Sequence, residues 1–307
     1  MGKIIVAGSM NMDIVATARR HPKNGETVFG SNLQYFPGGK GANQAIASSK
    51  LGAKTVMVGK VGDDAFGAQL IDFLKRENIE TNISIEKGVP TGTALITVSE
   101  ETSDNTIVVI PGANFSLSKG DIENADFGKG DILVSQFEIP DKTIEEFFSK
   151  GRRAGTVNIF NSAPARPISA EFLDLVDILI LNETELSYIS ETSVEASKEE
   201  SILTAIKKLQ RNHLKIIVTL GEKGVLAFDG NKITRVPGRK VDSVDSTGAG
   251  DCFVGAFAAG ILSGKFFAES LAFANIAASI SVTRKGAGPS MPTLEEVEKQ
   301  SIYLKII

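Results

Sequence analysis

Cysteine occurs once in the 307 residues, at Cys252, and histidine twice, at His21 and His213. One thiol cannot close an intrachain disulfide, which fits a reducing compartment. Between Asp251 and an apolar run, Cys252 reads as a small buried residue, with a reactive thiol as the alternative. The two histidines stand far apart, with no cysteine or acidic residue at ligand spacing, so neither a histidine-based metal site nor a Ser-His-Asp triad is expected. An excess of charge of one sign is lacking as well. The formal net charge is −4 and no five like charges adjoin, which argues against nucleic-acid or membrane-surface partners. No apolar run reaches the ~18 residues that span a bilayer, and the amino terminus enters strand-like sequence without the long apolar region of a signal peptide. A cytoplasmic protein with small-molecule partners is expected. The sequons at Asn82, Asn114 and Asn182 are then chance matches.

What the chain does have is glycine, 30 residues of it, above the usual ~7%. The stretch around which the rest is organised is Val244 to Phe257, with Asp245-Ser246-Thr247-Gly248-Ala249-Gly250-Asp251 at its centre. A β-rich run ending in Arg239-Lys240-Val241 precedes it, and an apolar, proline-free run from Cys252 to Leu262 follows. The glycines therefore sit where a strand gives way to a buried helix, which begins with unpaired N–H groups. The N–H groups of Ala249, Gly250 and Asp251 can converge on one anionic oxygen. A carboxylate at Asp251 would repel a phosphate that is merely held, but it makes sense as a base beside a phosphoryl acceptor. The same stretch also describes an ordinary helix start with Asp251 as a cap.

Lys3 to Gly8 suits a buried strand and ends in Gly8-Ser9-Met10-Asn11-Met12-Asp13. Asn11 and Asp13, two apart in extended backbone, project to one side and can hold adjacent hydroxyls; an Asx turn is the alternative. Thr27 to Phe36 reads as β and leads to Pro37-Gly38-Gly39-Lys40-Gly41-Ala42-Asn43-Gln44-Ala45, a second junction from loop to helix. It lacks P-loop spacing and suits a polyol instead, with Lys40 and Asn43 donating. A strand near Thr55 to Val58 and a helix near Asp64 to Glu77 follow. Thr91 to Glu100 and Thr106 to Ile110 form an inserted antiparallel hairpin; with parts of 12–37 it makes a small separate sheet, placed as a lid over the main strands.

From Asp131 the alternation of strand and helix is regular, with strands at Ile132–Ser135, Thr156–Phe160, Ile178–Leu181 and Lys215–Leu220. Each ends in polar or small residues: Gln136-Phe137-Glu138, Asn161 to Arg166, Asn182 to Glu185, and Thr219 to Gly224. Such ends in succession imply one site across the edge of a parallel sheet. Asn182 and Glu185 have the spacing of a capping box, which still leaves a side chain for magnesium-bound phosphate. Thr219 to Gly224 describes either a turn facing a nucleotide or a plain hairpin into Val225 to Phe228. After an apolar helix near Ala268 to Ile280, the glycine-rich Ser281 to Ser290 can turn carbonyls toward a monovalent cation.

Taken together, GSMNMD (Gly8 to Asp13), GGKGANQA (Gly38 to Ala45), NSAPAR (Asn161 to Arg166), LNETE (Leu181 to Glu185), TLGEKG (Thr219 to Gly224), DSTGAGD (Asp245 to Asp251) and VTRKGAGPS (Val282 to Ser290) resemble the ribokinase-like family of carbohydrate kinases nearly end to end. The resemblance implies a three-layer α/β fold, a mainly parallel sheet flanked by helices, with a four-stranded β lid built from about 12–37 and 83–111 that pairs subunits into a homodimer. It implies phosphorylation of D-ribose at O5 by ATP with Mg2+ and K+. Carried over position by position, Asp251 is the base and Ala249, Gly250 and Asp251 form the anion hole. Asn11, Asp13, Gly39, Lys40, Gly41, Ala42, Asn43, Glu138 and Asp251 would hold the sugar. The nucleotide side would comprise Asn182, Glu185, Thr219, Leu220, Gly221, Glu222, Lys223, Gly224, Gly250 and Asn275. Potassium would sit among Asp245, Thr247, Ser281, Arg284, Gly286 and Ser290, ordering the loop without touching substrate. Ser162 and Leu181 stand where the family often has Pro, and Asn275 where some members have His. Kinases for another sugar or a nucleoside, and a silent sugar-binding regulator on the same fold, are the alternatives; the intact GAGD argues against the last.

Overall fold

A computed structural model describes residues 2–102 and 104–304. Along it, β1 (Ile4–Ala7), β2 (Asn11–Ala18) and β3 (Gly30–Gly38) precede α1 (Lys40–Lys50), β4 (Thr55–Gly62), α2 (Ala65–Arg76), β5 (Glu80–Glu86), β6 (Gly92–Ser99) and β7 (Asn105–Ile110). From α3 (Lys119–Glu123) onward come β8 (Ile132–Gln136), α4 (Asp141–Ala154), β9 (Val157–Asn161), α5 (Ala170–Leu173), β10 (Ile178–Asn182), α6 (Glu183–Ser190), α7 (Glu199–Leu209) and β11 (Lys215–Thr219). The hairpin of β12 (Gly224–Phe228) and β13 (Ile233–Pro237) leads to α8 (Ala249–Leu262), α9 (Phe267–Ser281) and α10 (Leu294–Leu304).

The larger sheet has the order β13-β12-β11-β10-β9-β8-β1-β4-β5 and is parallel from β5 to β11. Only the β12–β13 hairpin adds antiparallel pairing at one edge. Side chains alternate across a strand, so each central strand feeds two cores. Ile4 and Val6 of β1 join Ile178 and Ile180 of β10 in one cluster with α1, α2, α8, α9 and α10. Ile5 and Ala7 join Leu179 and Leu181 in the other, with α3 to α7. Helices on both faces of a mainly parallel sheet make the expected three-layer α/β fold. Runs such as IIVA and ILIL, apolar at every position, reflect burial on both faces.

A second sheet, β3-β2-β6-β7, uses β2 between antiparallel β3 and parallel β6. Its composition corrects the expected span. Residues 80–86 form β5, the far edge strand of the large sheet, so the second segment of the small sheet starts at Gly92 and not at residue 83. The first segment runs from Asn11 to Gly38, with β3 starting at Gly30 where Thr27 had been expected. The strand run expected to reach Val241 ends at Pro237, and 238–248 form an irregular connection into α8.

Helices α1 and α8 lie against each other because Gly255 has no side chain: a Cβ there would sit 2.5 Å from the Gln44 carbonyl oxygen and 2.7 Å from Ala47 Cβ. Gly255→Ala should therefore force the helices apart and lower stability by about 1–3 kcal/mol, measured as a shift in the denaturant midpoint. An unchanged midpoint would mean that α8 can slide along α1 at no cost.

Candidate active site

The polar residues at the carboxyl ends of β1, β8, β9, β10 and β11 gather on one edge of the large sheet, where parallel α/β sheets place ligands. The ends of β8 and β9 are in register, Gln136 opposite Asn161. Behind them Phe137, Phe160 and Phe172 pack edge to face, with ring centroids 4.7 Å apart for Phe137–Phe160 and 4.8 Å for Phe160–Phe172. Such aromatic contacts fix the turns from which Glu138 and Asn161 project.

Helix α8 begins after Gly248, which caps it in the left-handed conformation (φ 76°), a region costly for residues with a Cβ. Asp251 occupies the first turn and is 6% exposed. Its Oδ2 accepts from Asn43 Nδ2 at 3.1 Å and its Oδ1 from Gln44 Nε2 at 3.0 Å. Burial pushes the Asp251 pKa up, while Lys40, Asn43 and Gln44 favour the ionised form. For Lys40, burial disfavours the charge, but the carboxylates of Asp251, Glu138 and Glu185 outweigh it and hold the ammonium pKa above its ordinary value. Of the three N–H groups expected to bind an anion, one has a protein acceptor. Ala249 N–H donates to the Ser246 carbonyl at 3.2 Å, whereas those of Gly250 and Asp251 have no protein acceptor among the described residues.

Asn11 and Asp13 start β2. A Cβ on Gly39 would lie 2.8 Å from Asn11 N, so only glycine lets the start of α1 come this close to them. Asn11 Oδ1 accepts from Asn114 Nδ2 at 2.8 Å, and Asn114 is itself fixed to both backbone polar groups of Met10. The Asn11 amide is thereby turned so that its Nδ2 remains as a donor. Glu138 Oε2 accepts from Ser9 Oγ at 2.5 Å and from Lys40 N at 3.1 Å, placing it beside α1. Gly41 and Ala42 are buried in the first turn of α1, packed on Gly8 and Ser9. Burial, then the charges of Glu138 and Asp251, raise the Asp13 pKa to about 7.

Two cavities adjoin at Thr219, Ser246 and Gly250. The smaller, about 240 Å³, is lined by Lys40, Asn182, Glu185 and Asp251 among others; the larger, about 680 Å³, runs over Gly221 to Gly224 and Asn275. Lys40, expected among the sugar residues, thus shares a cavity with Asn182 and Glu185, which were expected on the nucleotide side. Leu220 packs instead against the core. The capping box is present in full, with Glu185 N donating to Asn182 Oδ1 at 2.8 Å and Asn182 N to Glu185 Oε2 at 2.9 Å. Burial raises the Glu185 pKa. Asn275 Nδ2 donates to the Pro237 carbonyl at 2.9 Å, which leaves its Oδ1 for a ligand. Among the expected cation residues, Asp245 ties two loops together, accepting from Thr247 N and Gly286 N, both at 2.9 Å. These bonds overcome burial and keep its pKa below the ordinary value. Ser290 Oγ donates to Ala287 O and Ser281 Oγ to Ala278 O, and the Arg284 guanidinium pairs with Glu296. What these residues offer a cation is therefore mainly oxygens of the chain, a donor set for a weakly hydrated monovalent ion. No cluster of three or more His, Cys, Asp or Glu able to hold a metal occurs among the described residues.

Sequence reasoning passed over Gln44, placed Gln136 and Asn161 at strand ends without giving them a role beside Asp251, and noticed Asn114, which is buried, only as a sequon. It also passed over Arg239, Ser243 and Phe253 on the larger cavity, because 238–248 carry no motif.

Fold and site together define a phosphotransferase of the sugar-kinase type, and the comparison with known proteins agrees: residues 1–294 match the pfkB family carbohydrate kinases, and the chain belongs to that family. The particular resemblances are to ribokinases. The ribokinase of Bacillus subtilis (strain 168) is 40% identical over 302 residues, 97% of this chain and 99% of that protein. The deoxyribokinase of Salmonella typhimurium is 36% identical over 300 residues, covering 95% and 96%. Among solved structures, Arabidopsis thaliana ribokinase complexed with ribose and ATP superposes with a TM-score of 0.88 at 36% identity, covering 97% of this chain and 98% of that one. No helix among the described residues is long and apolar enough to cross a membrane.

Because the folded protein holds the Asp13 proton up to about pH 7, the folded state binds more protons than the unfolded one between about pH 4 and 7. Asp13 then contributes a loss of ligand-free stability as pH rises through that window, complete above it. Asp13→Asn should flatten the decline, gaining a few kcal/mol over wild type at pH 8 and little at pH 4, read by denaturant unfolding. Parallel curves for the two proteins would refute the assignment.

Proposed function

We propose that this chain transfers the γ-phosphoryl group of ATP to O5 of D-ribose, giving D-ribose 5-phosphate and ADP. The observation that carries the proposal is the buried Asp251 carboxylate at the start of α8, between the polar cluster of Asn11, Asp13 and Glu138 and the paired cavities. Ribose lies against the cluster with its O5 at Asp251. Asp251 takes the O5 proton as the O5–phosphorus bond forms and the bond to the β-phosphate oxygen breaks, releasing ADP. The N–H groups of Gly250 and Asp251 and the Lys40 ammonium stabilise charge on the transferring oxygens. ATP occupies the larger cavity over the turn from Thr219 to Gly224.

Asn182 and Glu185 face the phosphates, and the Glu185 carboxylate fits a shell of water around Mg2+, which would neutralise phosphate charge. Potassium would order the loops that Asp245 already joins. Asn11, with its amide donor directed by Asn114, favours ribose over 2-deoxyribose. The 36% identity to a deoxyribokinase makes 2-deoxyribose the second substrate to weigh. The small sheet is proposed as a lid and subunit interface: Tyr35, Ile14, Leu95 and Val108 are opposite one another in register. They form an apolar row on the face away from Asp13, and Tyr35, Leu95 and Val108 are exposed. We place the enzyme in the cytoplasm.

ADP release should be measured with Mg-ATP against ribose, 2-deoxyribose, fructose and adenosine, each in potassium, sodium or a bulky organic cation. Turnover on ribose, strongest in potassium, is expected. Activity on another acceptor alone would reassign the pocket, and equal rates in all three cations would remove the potassium site. Asp251→Asn should retain binding of ribose and ATP while kcat drops by about 10²–10⁴-fold; a near-normal kcat would remove Asp251 as the base.

A further inference from the structure

Around the inner oxygen of Asp251 lies a chain of three buried amides, of which Asn161 borders the smaller cavity and Gln44 and Gln136 border neither. Gln44 is fully buried, as is Gln136, and Asn161 nearly so. Gln44 Nε2 donates to Asp251 Oδ1 at 3.0 Å and to Asn161 Oδ1 at 3.2 Å, while its Oε1 accepts from Gln136 Nε2 at 3.0 Å. Asn161 Nδ2 is in turn committed to the Ile180 carbonyl at 3.1 Å. Gln44 is thus held by Asp251, Asn161 and Gln136, and Asn161 by the Ile180 carbonyl, while Gln136 Oε1 has no hydrogen-bond partner among the described residues. With Gln136 donating to its oxygen, Gln44 presents its NH2 to Asp251 and cannot flip without opposing acceptor to acceptor. Gln136 is confined as well, since a Cβ on Gly8 would lie 2.4 Å from its Oε1.

We infer that Gln44, locked by Gln136 and Asn161, is a positioning residue for the phosphoryl-transfer reaction: it holds one oxygen of Asp251 and thereby directs the other toward the acceptor hydroxyl. The inference rests on the reading of Asp251 as base. The groups around that carboxylate are Lys40, Asn43 and Gln44 from α1, Glu138 after β8, Asp13 from β2 and Glu185 from α6. Three of these are acidic and Lys40 alone is cationic, so a fixed neutral donor matters for keeping the buried carboxylate ionised. Gln44 belongs to no cavity lining, which separates it from residues that bind ligand.

The test is steady-state kinetics of Gln44→Met and Gln136→Met across pH, beside Asp251→Asn. Gln44→Met should lower kcat by about 10- to 100-fold, as expected for a lost hydrogen bond to a charged group. KM for ribose and for ATP should change little, and the acidic limb of the kcat profile should move up by about one pH unit. Gln136→Met, two residues removed from the carboxylate, should shift kcat and the limb in the same direction by less. A wild-type kcat and acidic limb in Gln44→Met would overturn the inference, as would a rise in KM with kcat retained. If Gln44→Met does not fold, a wild-type profile in Gln136→Met overturns it equally. A near-normal Asp251→Asn would instead strike the base itself, so the two failures are distinguishable.

Discussion

The structure turns on one electrostatic constraint: a carboxylate buried almost completely at a helix start must stay ionised. Taking Asp251 out of water costs several kcal/mol unless neighbours compensate. Here compensation comes from the Lys40 ammonium, from two amide donors on α1, and from the positive end of the α8 backbone. All except the last come from one turn of α1, so the contact between α1 and α8 is an electrostatic requirement as much as a packing one. Gly255 lets the helices approach, and the Asn43 and Gln44 amides meet the carboxylate across the gap.

The parallel sheet supplies what helices alone cannot. Adjacent strands end side by side, so Gln136, Asn161 and the Ile180 carbonyl fall in a line that a single loop could not hold. The phenylalanines beneath them make the line rigid. Acidic residues then accumulate on the open side, Asp13 and Glu138 near Asp251, at a cost expressed in the raised pKa of Asp13. Sugar hydroxyls donating to these oxygens would relieve that cost, so the ligand-free protein carries in its own folding energy part of the affinity for a polyol.

Much of this was legible in the sequence because it depends on local grammar. The glycine-rich run into an apolar helix located Asp251, the alternation of strands and helices from Ile132 onward gave one parallel sheet with a site along its edge, and the Asn182–Glu185 spacing gave a capping box that the structure contains. What was not legible depends on register or on side-chain direction. Nothing in GGKGANQA says that Gln44 turns toward Asp251 or that its amide is set by a residue some ninety positions later. Asn114 drew notice only as a chance sequon and is a buried clamp on Asn11. The expected lid span of about 83–111 took in the end of Glu80–Glu86, which pairing with β4 places at the far edge of the large sheet. Ala249 was expected to offer its N–H to a ligand, and a turn to Ser246 uses it.

The two sheets share a piece of chain. Strand β1 passes through Gly8-Ser9-Met10 directly into β2, whose first residues are Asn11 and Asp13 and whose last is Ala18. At about 3.3 Å per residue, the far end of β2 stands roughly 23 Å from Asn11. If the small sheet is the lid proposed above, its rotation about that short link would resemble a gate on its post: the tip near Ala18 and Ser99 would sweep widely, while Asn11 and Asp13 would scarcely move. The residues proposed to hold the sugar would then sit almost on the axis, and the doorway would swing without loosening the grip.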